Sequence, residues 1–486
     1  MKKIFVVTFF SLLLFLSAHT LSLAGVISPD LESSLSAARP EQEIPVIITL
    51  SDRVDLGQFA DMPKNVRRHK LIMALKAKAE STQTPLKAFL EERRVRRIRS
   101  LWSINGMLVT ARPDVIREIA NQQGVERIRL DATQSFRERF RGTRRNRPRN
   151  LKSMVRESPK RQETLSEPTA FSITAKPEWN LSSIRVQELW SKGHMGMGIV
   201  VANMDTGVDF DHPDLKSKWR GEKNSWFDPH GEHETPFDSN GHGTQTMGIM
   251  GGGSEGGTAI GVAPNAKWIA VKIYNDAGQT SLGHCHLGFQ WILDPDGNPE
   301  TNDSPDVVNF SWGFNQYVNQ CNPEFLEDIR ILKAAQIAVV FAGGNEGPNS
   351  STSLSPGNYT NSFSVGAFDQ SLKVASFSSR GPSACDGSSY PKVVAPGVGV
   401  RTADLTLRGA FPNSYATVTG TSFAAAHVSG AMALLLSAFR DLSASELESA
   451  LKESASDFRK AGPNNDHGYG LIDIMKTYKI VSSKGS

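Results

Sequence analysis

Short apolar runs alternate with helix-like segments over most of the second half of the chain. Four runs of four to seven residues have the character of strands buried on both faces of a parallel sheet. They lie at 198–204, 268–272, 307–310 and 337–342. Helical patterns separate them, including 324–336 and the apolar run after Ser422. This alternation predicts an α/β fold with a mainly parallel central sheet.

Residues 25–131 show the mixed pattern of a small α+β domain. The predicted strands are 44–50, 101–109 and 125–130, and the predicted helices are 64–99 and 113–120. Gly106 interrupts the second strand, and Pro113 stands in the first turn of the second helix, where proline is tolerated.

Two further segments complete the predicted organisation of this 486-residue chain. Residues 1–24 combine a basic start, an apolar run and small residues, which predicts a cleavable export signal. Residues 132–175 are polar, basic and without periodicity, which predicts a linker that is cleaved during maturation. Residues 176–486 then form the large α/β domain, and no segment after residue 24 is predicted to span a membrane.

Charge is divided unevenly along the chain. Residues 1–177 contain 32 Lys+Arg and 18 Asp+Glu, whereas residues 178–486 contain 22 and 32. A basic front and an acidic back are expected to attract each other. Basic runs can bind nucleic acid, but in an exported chain we expect a solvated helix face at 91–99 and an exposed linker at 137–161.

Three cysteines allow at most one disulfide within the chain. Cys321 and Cys385 lie in polar, loop-like sequence, so we favour their pairing in an exported protein. The alternative of three free thiols, Cys285 included, stays open because spacing along the chain does not show proximity in space.

Three residue types that can form a nucleophilic site lie in separate blocks of small residues. Asp205 follows the first buried strand, His242 opens a helix-like run, and Ser422 begins a buried helix. A serine hydroxyl needs a base to become a nucleophile, and the base needs a group that holds its ring. We therefore assign Ser422 as nucleophile, His242 as general base and Asp205 as the orienting carboxylate.

A tetrahedral intermediate on Ser422 would also need hydrogen-bond donors for its oxyanion. Asn345 follows the buried strand at 337–342, where its side-chain amide can supply one donor. The backbone N–H of Ser422 can supply another.

Four blocks of the sequence are informative together: Asp205-Thr206-Gly207, His242-Gly243-Thr244, Asn345 and Gly420-Thr421-Ser422. In this order they resemble the signature motifs of the subtilisin-like serine proteases, peptidase family S8, with a resemblance that covers about 179–473. Blocks 263–272 and 305–313 resemble bacillopeptidase F-like members of that family. The chain departs from the family pattern at Gln245, where histidine is common, and at Phe423 and Ala426, where methionine and proline are usual.

The resemblance implies a three-layer subtilisin-like domain preceded by a ferredoxin-like propeptide at 25–131. It implies a secreted endopeptidase, extracellular or periplasmic, made as a self-processed zymogen whose propeptide is an intramolecular inhibitor. Substrate-binding roles are implied for Ser311, Trp312, Gly313, Gly343 and Gly344. We expect protein or peptide substrates, a monomer, no nucleic-acid partner and no stable membrane anchor. Catalysis would need no cofactor, and a structural Ca²⁺ would fit the family without assignable ligands.

Some residues of the sequence would also suit other sites. The loop with His230, Glu232, His233 and Glu234 lacks a helical metal-binding frame, so we expect it to be solvated and assign no metal. His284 and His286 flank Cys285 and could bind zinc, but a fourth ligand is not evident.

Two alternative functions would use the same cleft. A catalytically silent peptide-binding protein would lack a triad member or the oxyanion donor. An esterase would cleave small esters but not proteins.

Overall fold

Two large sheets of different kinds organise the described part of the chain. The computed structural model describes residues 25–136, 175–456 and 462–484. The predicted export signal and the linker beyond residue 136 lie outside these residues.

The first sheet belongs to the N-terminal unit, residues 25–131. Its strands are β1 (Val26–Ile27), β2 (Ile44–Leu50), β3 (Arg97–Leu101), β4 (Gly106–Ala111) and β5 (Val125–Leu130). Its helices are α1 (Pro29–Ala37), α2 (Lys64–Glu92) and α3 (Pro113–Ile119), with a 3₁₀ turn at Leu56–Phe59. The strand order is β1-β5-β2-β4-β3, and only the β1–β5 pairing is parallel. The predicted strands 44–50 and 125–130 and the short helix are confirmed.

The predicted helix at 64–99 is too long, and two strands stand where the sequence predicted the end of that helix and one strand at 101–109. Helix α2 ends at Glu92, and Arg94 takes a left-handed conformation with φ of 59°. The chain then forms β3 and β4, joined by a turn in which Asn105 has φ of 49°. Arginine is a good helix former, so the basic run favoured the helix in the sequence pattern. In the structure those arginines cover an edge strand, where charge opposes pairing with other chains.

The second sheet is the core of residues 176–486. The remaining strands are β6 (Thr133–Ser135), β7 (Val200–Asp205), β8 (Trp226–Phe227), β9 (Lys267–Lys272), β10 (Gln279–Ser281), β11 (Val307–Phe310), β12 (Ala338–Ala342), β13 (Phe363–Phe368), β14 (Val393–Pro396), β15 (Val400–Ala403) and β16 (Tyr415–Val418). Seven of them form a parallel sheet in the order β14-β13-β12-β11-β7-β9-β8. The predicted parallel α/β sheet is therefore confirmed, and β7, β11 and β12 end where the candidate site residues begin.

Helices pack against this sheet and complete the core. They are α4 (Trp179–Ser183), α5 (Val186–Trp190), α6 (Pro213–Lys216), α7 (His242–Gly251), α8 (Leu282–Leu293), α9 (Leu326–Ala334), α10 (Thr421–Ala438), α11 (Ala444–Ser454) and α12 (Ile474–Lys484), with a 3₁₀ turn at Lys223–Ser225. By length and composition α10 could cross a membrane, contrary to the sequence prediction, yet 89% of it is buried inside the protein. It is the central helix of the large domain.

The disulfide favoured from the sequence is confirmed. Cys321 and Cys385 form a disulfide with an S–S distance of 2.04 Å. Cys285 is a buried free thiol, and burial raises its pKa. The thiol is therefore a packing group of α8 rather than a reactive one.

Opposite charges meet between the N-terminal unit and the large domain, as the charge division predicts. Ion pairs that cross the interface between described residues include Lys64–Asp306 at 2.8 Å, Arg129–Glu324 at 2.8 Å and Lys76–Asp294. Arg68 is 4% exposed, and its guanidinium donates to the Ala335 carbonyl at 2.8 Å and the Pro305 carbonyl at 3.1 Å. Helix α2 thus contributes a row of basic side chains to this interface.

Candidate active site

Asp205 and His242 are in direct contact at the carboxyl end of the central sheet. Asp205 is the last residue of β7, and both of its carboxylate oxygens lie within 2.9 Å of His242 Nδ1. The two residues are 1% and 4% exposed. A buried carboxylate on Nδ1 holds the imidazole in one orientation and directs Nε2 away from the carboxylate.

The start of α7 is anchored so that His242 is its first residue. Oδ1 of Asp238 accepts hydrogen bonds from the N–H groups of Asn240 and Gly241, each at 2.9 Å. Oδ2 accepts from the N–H of Thr244 at 3.0 Å. These bonds satisfy N–H groups that a helix start leaves unpaired, and they fix the backbone that carries the imidazole.

Main-chain contact brings the aspartate and histidine blocks together. A Cβ on Gly243 would lie 2.0 Å from the carbonyl oxygen of Gly207. A Cβ on Gly207, whose φ is 112°, would lie 1.9 Å from the carbonyl oxygen of Phe237. The small residues of both blocks are therefore required by close backbone approach as well as by local conformation.

Ser422 lies in the first turn of α10 and lines the same cleft as His242. Its hydroxyl donates to the carbonyl oxygen of Ser311 at 3.3 Å, and the hydroxyl of Ser311 donates to the Ser422 carbonyl at 3.0 Å. The neighbouring Phe423 ring lies 5.6 Å from the imidazole of His242. The structure thus brings all three predicted residues to one cleft, two of them in hydrogen-bond contact.

Asn345 lies beyond the end of β12 and also lines the cleft. Its Oδ1 accepts hydrogen bonds from the N–H of Thr421 at 3.0 Å and the hydroxyl of Thr421 at 2.9 Å. The residue next to Ser422 therefore orients the Asn345 amide, with its Nδ2 group directed away from Thr421. This is the arrangement that an oxyanion donor needs.

The predicted substrate-binding residues divide into two groups. The cleft is lined by Ser311, Trp312, Gly313 and Gly344. Gly343 is not among the described residues that line it. Its N–H donates to the Val365 carbonyl at 2.8 Å, and its carbonyl accepts from the Tyr390 hydroxyl at 2.6 Å. The backbone of Gly343 is thus used inside the domain, so the geometry gives it no direct contact with a ligand in the cleft.

An extended segment of this chain enters the cleft, and the linker prediction is wrong for it. Strand β6 pairs antiparallel with β10, with Ser135 opposite Gln279 and Thr133 opposite Ser281. The pairing continues through the N–H of Phe136, which donates to the Gly278 carbonyl at 2.8 Å. The polar sequence of 132–136 resembles a linker, but its backbone hydrogen bonds are satisfied by an exposed strand edge.

Phe136 ends the described segment against the candidate catalytic histidine. Its ring centroid lies 4.9 Å from that of His242 and 5.0 Å from that of Tyr274. Tyr274 is buried, and burial raises the pKa of its phenol. Neither aromatic residue was predicted to lie at the site, because neither stands in a motif that indicates proximity to His242.

Two residues that depart from the family pattern, Gln245 and Phe423, contact other residues of the large domain. The Gln245 amide donates to Asp404 Oδ1 at 3.1 Å, so it serves as a buried link between α7 and the loop after β15. Phe423 is 2% exposed and packs beside His242. Neither displaces a residue of the candidate site.

Of the residues weighed as metal ligands in the sequence, Glu232 and His233 lie beside Asp276, and ligand atoms of these three are within 4.8 Å of one another. His233 Nε2 lies 3.0 Å from Asp276, whose carboxylate also pairs with the ammonium of Lys272. The two histidines that flank Cys285 have separate surroundings. The His284 ring lies 4.1 Å from that of His230. His286 pairs with the carboxylate of Asp328 on α9 and with that of Glu324, which precedes α9.

Both a protein-family model and individual known proteins match this chain. A family model described as the subtilase family matches residues 196–470. Bacillopeptidase F of Bacillus subtilis (strain 168) is 32% identical over 446 residues, which cover 86% of this chain and 29% of that protein. Serine protease AprX of the same organism is 33% identical over 304 residues, covering 57% of this chain and 65% of AprX. Subtilisin DY of Bacillus licheniformis is 30% identical over 299 residues, covering 61% of this chain and 96% of that protein.

The coverage differs between these relatives. The match spans less than a third of bacillopeptidase F but nearly all of subtilisin DY. The family model covers more than half of this chain and includes the blocks of Asp205, His242, Asn345 and Ser422. The chain therefore belongs to the subtilase family.

Proposed function

We propose that this chain is the precursor of a secreted serine endopeptidase. The observation that carries the proposal is the buried contact of Asp205 with His242 Nδ1 at 2.8 Å, in the cleft that Ser422 also lines. The names of the matched relatives, among them bacillopeptidase F and subtilisin DY, are those of proteases. The proposed substrates are extended segments of proteins.

The reaction would run through an acyl-enzyme on Ser422. His242 would accept the hydroxyl proton as Ser422 attacks the peptide carbonyl, and would return it to the leaving amine. Asp205 would stabilise the charged ring that forms between these steps. In the structure the Ser422 hydroxyl bonds to the Ser311 carbonyl, so it would turn toward Nε2 when substrate binds.

The oxyanion of each tetrahedral intermediate would be bound by two donors. One is the Nδ2 group of Asn345, whose other end is held by Thr421. The second is the backbone N–H of Ser422 in the first turn of α10. Donors aimed at the developing charge lower the barrier because they need no reorganisation during the reaction.

The N-terminal unit is proposed to be an inhibitory and folding-assisting propeptide. The segment that follows it, Thr133–Ser135, pairs with an edge of the cleft as a bound peptide would. Asp131 accepts a hydrogen bond from the N–H of Gly283 at 2.8 Å, at the start of α8. Because Ser135 and Phe136 line the cleft, this segment would block it until the unit leaves, which supports a zymogen.

Self-cleavage is proposed to take place shortly after Phe136, within the basic linker. The chain runs along β10 toward His242, and Phe136 already lies against that ring. Phe136 and Ser422 line the same cleft, so a peptide bond close to Phe136 is the one proposed to be cleaved. Export by residues 1–24 would place the product outside the cytoplasm, in a periplasm or the medium.

Substitution of the proposed nucleophile tests this function. The Ser422→Ala precursor should remain uncleaved on incubation, whereas the parent should release a fragment that ends within a few residues of Phe136. Mass spectrometry of the fragments reads the position directly. Cleavage of purified Ser422→Ala precursor at the parental rate would contradict intramolecular processing, and processed parent without casein hydrolysis would contradict endopeptidase activity.

A further inference from the structure

A line of buried polar side chains runs through the central sheet beneath the candidate cleft. Asn203 on β7 and Asn309 on β11 stand opposite each other in register, and Ser311 follows two residues after Asn309. These residues are 1%, 0% and 4% exposed. Burial of an amide in an apolar core costs free energy unless its hydrogen bonds are made. Buried polar groups placed between the candidate catalytic blocks therefore need an explanation.

The line begins at helix α7, whose first residue is His242. The Asn203 amide donates to the carbonyl oxygen of Gly243 at 3.0 Å and to the hydroxyl of Thr246 at 2.9 Å. The Thr246 hydroxyl also lies 3.2 Å from the His242 carbonyl oxygen. Because side chains alternate along a strand, Asn203 lies on the same face of β7 as Asp205. Strand β7 therefore contacts both the histidine ring and the main chain that carries it.

Asn309 continues the line toward Ser422. Its amide donates to Asn203 Oδ1 at 3.0 Å and to the Ser311 hydroxyl at 2.8 Å. The Ser311 hydroxyl donates to the carbonyl oxygen of Ser422 at 3.0 Å. The oxygen of Asn309 accepts from the hydroxyl of Ser429, further along α10, at 3.1 Å. Both N–H groups and the oxygen of this amide are thus used, and Asn309 joins the histidine side of the cleft to the serine side.

We propose that Asn309 is a positioning residue for the reaction, acting on His242 through Asn203 and on Ser422 through Ser311. The inference rests on the proposed function, because it concerns Ser422 as a nucleophile. The line holds the main chains of both residues before substrate arrives, whichever way the Ser422 hydroxyl turns. A fully satisfied buried network specifies one arrangement of its elements. Such precision matters because a misplacement of about 1 Å can cost about 10²-fold in rate.

Turnover separates a positioning role from a merely structural one. In the matured protein, Asn309→Ala should lower kcat by about 10²-fold and leave KM within about twofold of the parent. Active sites are counted with a fluorophosphonate probe, so that an unfolded fraction does not enter the rate. A parental kcat in Asn309→Ala, or an increase in KM alone, would overturn the proposal.

Thr477→Val is the matched control for the loss of a buried hydrogen bond. The hydroxyls of Thr477 and Ser454 lie 2.6 Å apart between α12 and α11, and neither residue lines the cleft. This variant should lower the thermal unfolding midpoint and keep the parental kcat. An equal loss of kcat in Thr477→Val would show that turnover follows stability, which would also overturn the proposal.

A double-mutant cycle tests whether the line acts as one unit. Asn203→Ala and Ser311→Ala break it on either side of Asn309, so each should lower kcat. The double variant should be at most about threefold slower than the slower single variant, because the connection is already broken. Losses that multiply would contradict a shared role. If Asn309→Ala does not fold, this cycle decides the proposal by itself.

The outcomes distinguish this inference from the proposed function. A parent protein that takes no label on Ser422 would overturn both. A parent that is labelled on Ser422 and hydrolyses peptides, while Asn309→Ala keeps its turnover, would overturn the positioning role alone.

Discussion

The candidate catalytic cleft and the interface with the N-terminal unit hold their polar groups in different ways. In the cleft, backbone meets backbone at Gly207 and Gly243, and short hydrogen bonds connect buried side chains. At the interface, long side chains such as Arg68 and Lys76 reach across to carbonyls and carboxylates. Close backbone contact restricts residue types within a few positions, whereas a long side chain can reach its partner from several positions. The first kind of site therefore leaves a motif in the sequence, and the second leaves mainly a charge imbalance.

The largest effect is expected where the cleft depends on backbone contact. Gly243→Ala would place a Cβ 2.0 Å from the Gly207 carbonyl, so α7 must shift and carry His242 with it. We expect proteolytic activity to fall below detection and the unfolding midpoint to drop. Gly251→Ala in the same helix is the control, because its Cβ would meet its nearest neighbour at 3.7 Å. Full activity of Gly243→Ala would show that the close contact does not position the histidine.

Asn345→Ala should give the next largest effect, confined to turnover. Removing one oxyanion donor typically lowers kcat by about 10²–10³-fold with little change in KM. Peptide hydrolysis by matured protein at saturating substrate measures this loss. A change in KM alone would indicate that Asn345 binds the ground state rather than the transition state.

Arg68→Ala tests the interface. The substitution leaves buried carbonyls of Ala335 and Pro305 without their donor, which should cost about 2 kcal/mol or more. Urea unfolding of the Ser422→Ala precursor measures the change. Arg67→Ala is the matched control, because Arg67 bonds only to carbonyls of its own unit in the described structure. Equal losses for both variants would remove Arg68 from the interface account.

The smallest effect is a pH dependence at the same interface. Burial lowers the pKa of His286, but Asp328 and Glu324 outweigh burial and raise it to about 9. Arg129 of the N-terminal unit pairs with the same Glu324. A raised histidine pKa adds stability that is complete below about pH 6.5 and is lost as pH rises through 9.

The free energy of unfolding of the Ser422→Ala precursor should therefore fall between pH 6.5 and 9, by on the order of 1–2 kcal/mol. His286→Gln should flatten this part of the profile. An unchanged slope in that variant would assign the pH dependence to other groups.

The sequence predicted the parallel sheet, and the structure brings the three proposed catalytic residues to one cleft, because both depend on local constraints. Buried strands need apolar runs, and the blocks of Asp205, His242 and Ser422 need small neighbours. It failed at β3, where arginines favour a helix in isolation but tertiary pairing makes a strand. It also failed at Thr133–Ser135, whose strand exists only because β10 offers a partner edge. Contacts such as Arg68 with Ala335 join positions far apart in the chain and leave no local pattern.

The central claim is that Asp205 and His242 activate the hydroxyl of one serine. Labelling the matured protein with a fluorophosphonate probe and mapping the modified residue by mass spectrometry tests it most directly. The account predicts one label per chain, on Ser422, with labelling lost in His242→Ala. A label on another serine, or undiminished labelling of Ser422 in His242→Ala, would contradict it.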